Sequence, residues 1–179
     1  MPAFPHLSLI LGGARSGKSA FAEALATSAN RPRTYIATSQ AFDVEMKAKI
    51  AKHRQDRGPD WQTIEEPLDL VTALAAVTPK SVVLVDCLTL WLSNQMHAEV
   101  DTDSETTKLL TGLSTSPNPV ICVSNEVGMG LVPDTPLGRQ FRDLQGRLNR
   151  KVAEQADLAV FVAAGLPLTL KGTLPEGMI

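Results

Sequence analysis

The chain has 179 residues, a formal net charge of −2, 44% hydrophobic and 20% charged residues, which suits one domain spanning 1–179 with a substantial core rather than two joined by a linker. So even a charge balance excludes a nonspecific nucleic-acid surface, which needs surplus Lys and Arg, and any anion must be bound locally. No apolar run approaches the roughly 20 residues of a bilayer span, and Met1 to Leu11 lacks the basic start and small-residue cleavage site of a signal peptide, so the expected location is the cytoplasm with no membrane span.

An apolar run from Leu7 to Leu11 leads into Gly12-Gly13-Ala14-Arg15-Ser16-Gly17-Lys18-Ser19, and Ala20 to Ser28 continues in good helix formers. Arg33 to Thr38 reads as a second strand ending in polar residues. From Asp43 to Arg54 the spacing of Phe42, Met46, Ile50 and His53 predicts a helix with these four on one face, stopped by Gly58-Pro59. Trp61 to Ile64 reads as a short strand and Leu68 to Ala76 as a helix.

Ser81 to Asp86 is a β-branched run closed by a carboxylate, the pattern of a parallel strand covered on both faces. A helix is expected over Leu88 to Gln95, and His97 to Thr107, polar and rich in Thr, reads as a mobile or poorly packed insertion. Pro119 to Ser124 is a further buried strand, followed by Asn125-Glu126-Val127-Gly128-Met129-Gly130, a long helix from about Leu137 to Ala156, and a last clear strand from Leu158 to Ala163. Strands alternating with helices predict an α/β fold of the P-loop NTPase (RecA-like) type, with a mostly parallel central sheet and helices on both faces. Ligands in such sheets bind beyond the carboxyl ends of the strands. Cys87 and Cys122 lie at or inside apolar runs without CxxC spacing, and are expected to be reduced core thiols.

Four constellations bear on chemistry. Gly12-x4-Gly17-Lys18-Ser19 fits G-x-x-x-x-G-K-[ST] between a strand and a helix. There the backbone N–H groups and helix N-terminus hold phosphate oxygens, Lys18 reaches the β/γ phosphates, and the Ser19 hydroxyl ligates Mg²⁺. Asp86 has the position of a carboxylate on an adjacent strand end that holds Mg²⁺, or else of a cap for the helix at Leu88. His53, flanked by Lys52 and Arg54 and followed by Arg57, has two readings. Its cationic neighbours favour a neutral imidazole able to attack phosphorus, whereas a surface histidine at a basic helix end needs no such role. The segment Asn125 to Gly130 is either part of the ligand edge or a plain turn. Arg139, Arg142, Arg147, Arg150 and Lys151 surround much of the late helix, and a solvated face accounts for them better than an anion site.

Taken together, these segments resemble the bifunctional adenosylcobinamide kinase / adenosylcobinamide-phosphate guanylyltransferase family of cobalamin biosynthesis. The resemblance rests on Gly12 to Ser19, Tyr35-Ile36-Ala37-Thr38-Ser39, His53-Arg54 leading through Arg57 to Trp61, Thr63 and Glu65, and Val85-Asp86-Cys87-Leu88-Thr89. It continues through Ser124 to Pro133, Phe141-Arg142-Asp143, Gly146-Arg147-Leu148-Asn149 and Ala164-Gly165-Leu166-Pro167.

It implies an enzyme that phosphorylates adenosylcobinamide with ATP or GTP and then transfers GMP from GTP to adenosylcobinamide phosphate through a GMP-histidine intermediate. His53 matches that histidine, and Lys18 is expected to act beside it. Gly12, Gly13, Ala14, Arg15, Ser16, Gly17, Lys18, Ser19, Ala37, Thr38, Ser39, Arg54, Gln55, Asp56, Arg57, Glu65 and Asp86 are expected around the nucleotide, with Ser19 and Asp86 at Mg²⁺. A homo-oligomer is also implied, a trimer among the forms it admits. The competing readings are a simple P-loop small-molecule kinase and a GTP-binding switch without group transfer.

Overall fold

The computed structural model describes residues 4–40 and 60–178. The predicted helix over Asp43 to Arg54, with His53 and the following Gln55, Asp56 and Arg57, lies outside the described residues.

The strands follow the apolar runs. β1 (Leu7–Gly12), β2 (Arg33–Ala37), β3 (Trp61–Glu65), β4 (Val82–Asp86), β5 (Val120–Asn125), β6 (Leu158–Ala163) and β7 (Leu166–Lys171) form one sheet in the order β3-β2-β4-β5-β1-β6-β7. All neighbouring pairs are parallel except β6 with β7. Alternation along each strand divides the core in two. Leu9, Leu11, Val83, Val85, Val120 and Cys122 face one side, packing with α2 (Leu70–Ala75), α3 (Leu88–His97), α4 (Thr102–Thr115) and α5 (Pro136–Gln155). Ile10, Leu84, Ile121, Val123, Val160 and Val162 face the other, against Ala22, Leu25 and Ala26 of α1 (Lys18–Ser28). This is the α/β arrangement expected, with helices on both faces.

Two expectations are corrected. The segment read as a loose insertion at His97 to Thr107 holds the end of α3 and the first turns of α4. Asp101 caps α4 by accepting the Asp103 and Ser104 N–H groups, Asp103 and Glu105 sit in its positive first turn, and Thr106, Leu109 and Leu113 are buried. Nor is β6 the last strand: Ala164 and Gly165, both at positive φ, make a two-residue turn into β7, whose Pro167 is tolerated at the sheet edge. Both thiols are free and buried, as expected. Among the described residues no helix is long and apolar enough to cross a membrane.

Candidate active site

The carboxyl end of β1 is where the backbone is most constrained. Gly12 has ordinary backbone angles, but a Cβ there would lie 2.4 Å from Ser16 Oγ and 2.5 Å from the Val162 carbonyl, so only glycine lets the loop cross the end of β6. Gly17, at φ 95°, ends the loop in the left-handed region and begins α1, and a Cβ on it would meet Gly165 Cα at 3.1 Å. Around this turn the Ser16 N–H donates to the Gly13 carbonyl (3.3 Å) and Lys18 Nζ donates to the same carbonyl (3.1 Å), folding the lysine across the loop. Ser16 Oγ is buried without a protein partner. A buried hydroxyl beside loop amides is a ready donor to a phosphate oxygen.

The loop is held from both sides. Glu126 N–H donates to the Gly12 carbonyl (3.1 Å) and Gly165 N–H donates to the Ser16 carbonyl (2.8 Å). The second bond explains Ala164-Gly165-Leu166-Pro167, which carried the family resemblance without a physical reason: its turn is a prop for the phosphate loop. Sequence reasoning had no signal for this, because the contact spans most of the chain.

Asp86 closes β4, but β4 is not next to β1. β5 lies between them, so Asp86 stands at the same edge of the sheet, one strand removed from the loop. The helix-cap reading of Asp86 fails too, since the N-cap of α3 is Cys87. Burial, and then the Asp86 charge, push the Cys87 thiol up to about 11, while Lys18 acts in the opposite sense. Cys122, fully enclosed, is pushed up to about 12 by burial alone.

Thr38 is completely buried and bonds this corner together. Its hydroxyl accepts from the Cys87 N–H and donates to the Cys87 carbonyl, both at 2.8 Å, while its N–H donates to the Asp86 carbonyl (3.2 Å). Asn94 Nδ2 donates to the Thr38 carbonyl (2.8 Å). The contribution seen for Thr38 is therefore to fix Asp86. Ala37 and Glu65 pair in register at the ends of β2 and β3 on the same edge, with Ser39 just beyond.

The intervening strand ends in Asn125, in register with Gly12. Its N–H donates to Thr89 Oγ1 (2.8 Å) and its carbonyl accepts from Asn149 Nδ2 (3.1 Å). Beneath it Ser124 Oγ donates to Asn149 Oδ1 (2.6 Å), and Gln145 Nε2 donates to both Ser124 Oγ and Asn149 Oδ1 (2.9 Å each). So Asn125 is more than a plain turn: a buried polar network sets its place between Gly12 and Asp86. Gln145 and Asn149 fall one residue after Leu144 and Leu148, and that spacing was the available signal.

The late cations behave as a surface set. Arg139 donates to the Pro133 and Asp134 carbonyls, Arg142 lies 3.7 Å from Asp143, and Arg150 lies 3.6 Å from Glu154.

A glycine-specified loop between strand and helix, a lysine across it and a carboxylate beyond one intervening strand define a P-loop nucleotide-binding protein of the RecA-like class. The solved structures agree at the level of fold. The flagellar accessory protein FlaH of Methanocaldococcus jannaschii aligns with a TM-score of 0.53 at 16% identity, over 96% of this chain and 84% of that one. An ATPase of the type III secretion system of pathogenic bacteria aligns with a TM-score of 0.55 at 12% identity, over 92% of this chain and 56% of that one.

The chain belongs to the cobinamide kinase / cobinamide phosphate guanyltransferase family, whose model matches residues 8–170. It is 46% identical over 167 residues to the bifunctional adenosylcobalamin biosynthesis protein CobP of Pseudomonas aeruginosa, covering 92% of this chain and 96% of that protein. It is 38% identical over 179 aligned positions to the bifunctional adenosylcobalamin biosynthesis protein CobU of Escherichia coli, covering 91% and 98%.

Proposed function

We propose that this protein is an adenosylcobinamide kinase and adenosylcobinamide-phosphate guanylyltransferase, with both steps run from one catalytic domain at the Gly12 to Ser19 loop. The observation that carries the reading is the intact phosphate loop inside a chain that matches this family nearly end to end. In the first step the cobinamide hydroxyl oxygen attacks the γ-phosphorus of ATP or GTP, the bond to the β-phosphate oxygen breaks, and the nucleoside diphosphate leaves. In the second, a His53 ring nitrogen attacks the α-phosphorus of GTP and pyrophosphate leaves. A phosphate oxygen of cobinamide phosphate then attacks the same phosphorus, freeing the imidazole and giving adenosyl-GDP-cobinamide. Two in-line displacements replace one between two anions.

Loop amides and Lys18 hold the phosphates and offset charge developing on the leaving oxygens. Ala37, Ser39 and Glu65, with Arg54, Gln55, Asp56 and Arg57, form the nucleotide's surroundings, and Thr38 acts through Asp86. The Ser19 hydroxyl and Asp86 carboxylate are hard oxygen donors and suit Mg²⁺, which takes one or two protein oxygens besides phosphate and water. Bound there, the ion would offset phosphate charge. The protein works in the cytoplasm as a homo-oligomer. Leu166, Leu168 and Leu170, exposed along edge strand β7, support that form, since a second copy covers such a stripe. Sedimentation showing only the 19.2 kDa monomer would remove this last element.

The decisive experiment uses GTP labelled at the α-phosphate. The expected result is a covalent, acid-labile and base-stable adduct that His53→Asn abolishes, with cobinamide phosphorylation retained. A protein that never takes up the label is not a guanylyltransferase of this mechanism. Lys18→Ala should slow both steps by roughly 100-fold or more.

A further inference from the structure

The connection from Glu126 to Thr135 joins β5 to α5 and is fastened at both ends. At its root, Asn125 is bonded through both backbone groups and Glu126 N–H donates to the Gly12 carbonyl (3.1 Å). The Glu126 carboxylate accepts the Gly128 N–H. At its far end Arg139 Nη1 donates to the Pro133 and Asp134 carbonyls (3.0 and 2.8 Å), and Thr135 Oγ1 accepts the Gly138 N–H (3.1 Å). Between these fastenings Met129, Leu131 and Val132 are 79%, 96% and 62% exposed, and Leu137 beyond them is 63% exposed.

Four large apolar side chains within nine residues are held in solvent by a connection whose ends are pinned. Apolar surface grouped in this way marks a contact. Its place says with what. In the sheet β1 is flanked by β5 and β6, so the connections that leave these two strands border the phosphate loop. The β6–β7 turn is two residues long and already bonded to Ser16, which leaves the β5–α5 connection as the longer wall beside the nucleotide. A corrinoid is far too large to enter a phosphate loop. Only its hydroxyl or phosphate arm can reach the reacting phosphorus, and its methyl-bearing macrocycle must rest on whatever borders the loop.

We infer that Met129, Leu131 and Val132, with Leu137, form the surface on which the corrin ring of the substrate lies, so that the β5–α5 connection is the corrinoid specificity element. This rests on the cobinamide reading above. Continuity with the phosphate loop through Glu126 and Gly12 favours the substrate over a second copy of the chain.

The test is Met129→Ser/Leu131→Ser, two changes at exposed positions. Cobinamide binding is measured by equilibrium dialysis, read from the corrinoid's visible absorbance, with a non-hydrolysable GTP analogue present. The expected result is cobinamide affinity weaker by roughly tenfold or more. GTP-analogue affinity, and labelling by α-labelled GTP alone, should stay within about twofold. Wild-type binding of cobinamide with undiminished binding by the variant overturns the inference and leaves the proposed function standing. A wild-type protein that binds the GTP analogue but no corrinoid overturns both. If the variant sediments at a lower mass than the wild type, the surface is a subunit contact and the inference fails.

Discussion

Two segments leave neighbouring strands at the same edge of the sheet and are built on opposite rules. The phosphate loop after β1 is filled where it crosses its neighbours: a methyl group on Gly12 or Gly17 meets atoms at contact distance or closer, whereas one on Gly13 meets nothing within 4 Å. The connection after β5 is open at Gly130, where a methyl group meets nothing within 4 Å, and at Gly128 a methyl group would meet only the Glu126 carboxylate, at 2.9 Å. Where the ligand is a phosphate common to every nucleotide, backbone amides hold it and their position cannot shift. On the proposed reading the second ligand is a large apolar body, for which side chains present themselves and the backbone is fastened only at the ends.

The hardest test of this contrast is Gly12→Ala. The new Cβ would lie 2.5 Å from the Val162 backbone carbonyl, so the strand end or the loop must move. We expect a loss of about 2–4 kcal/mol in urea unfolding and no measurable GTP binding at concentrations that saturate the wild type. A variant that binds GTP normally would show that the loop is not held by packing.

Next comes Asn149→Ala, which strips the Asn125 carbonyl of its donor and leaves Ser124 Oγ and Gln145 Nε2 without a shared acceptor. Removing one member of a buried network costs about 2–3 kcal/mol. Cobinamide affinity should fall along with stability, because the root of the β5–α5 connection loosens. Unchanged unfolding would mean that the network does not secure it.

How much of this was legible in the sequence depends on burial. β1, β4, β5 and β6 are continuous Val, Ile and Leu runs because both sheet faces are covered, and the phosphate loop was visible because its chemistry admits few residues. α4 was not visible: its buried positions are Thr106, Leu109 and Leu113 in an otherwise polar run, so its apolar stripe is thin. β7 hides behind Pro167 and an exposed edge. Gln145 and Asn149 left only a faint trace, their place one residue after Leu144 and Leu148, which does not by itself say that a polar side chain turns inward to bond a strand end. Asp86 could be recognised, but the strand order that inserts β5 between it and the loop is a property of the whole sheet.

The two thiols sharpen the comparison at the level of the core beneath both segments. Each has a folded value above 9.0, about 11 for Cys87 and about 12 for Cys122. The unfolded chain therefore loses these protons first as pH rises. The stability they contribute is complete below pH 9.0 and declines toward pH 11 for Cys87 and pH 12 for Cys122. Each thiol contributes a slope on the order of 1 kcal/mol per pH unit in that window. The urea midpoint of the wild type should fall more steeply above pH 9.0 than that of Cys122→Ala. Equal slopes would contradict the burial of Cys122. The folded protein should resist iodoacetamide at pH 9.0 and react once unfolded.

The smallest effect is the one that keeps the comparison honest. Gly130→Ala adds a methyl group into open space, at a glycine without the left-handed backbone found at Gly17. Stability and GTP affinity should stay within about 0.5 kcal/mol of the wild type, against the loss expected for the same methyl at Gly12. A one-carbon addition separates the two rules because it alters neither charge nor hydrogen bonding. Only the space differs. If Gly130→Ala unfolded the protein as readily as Gly12→Ala, the β5–α5 connection would be packed rather than presented, and its exposed Met129 and Leu131 would need another explanation. If it changes cobinamide affinity alone, the methyl group is felt by the ligand and not by the protein, as expected of a wall that the substrate completes.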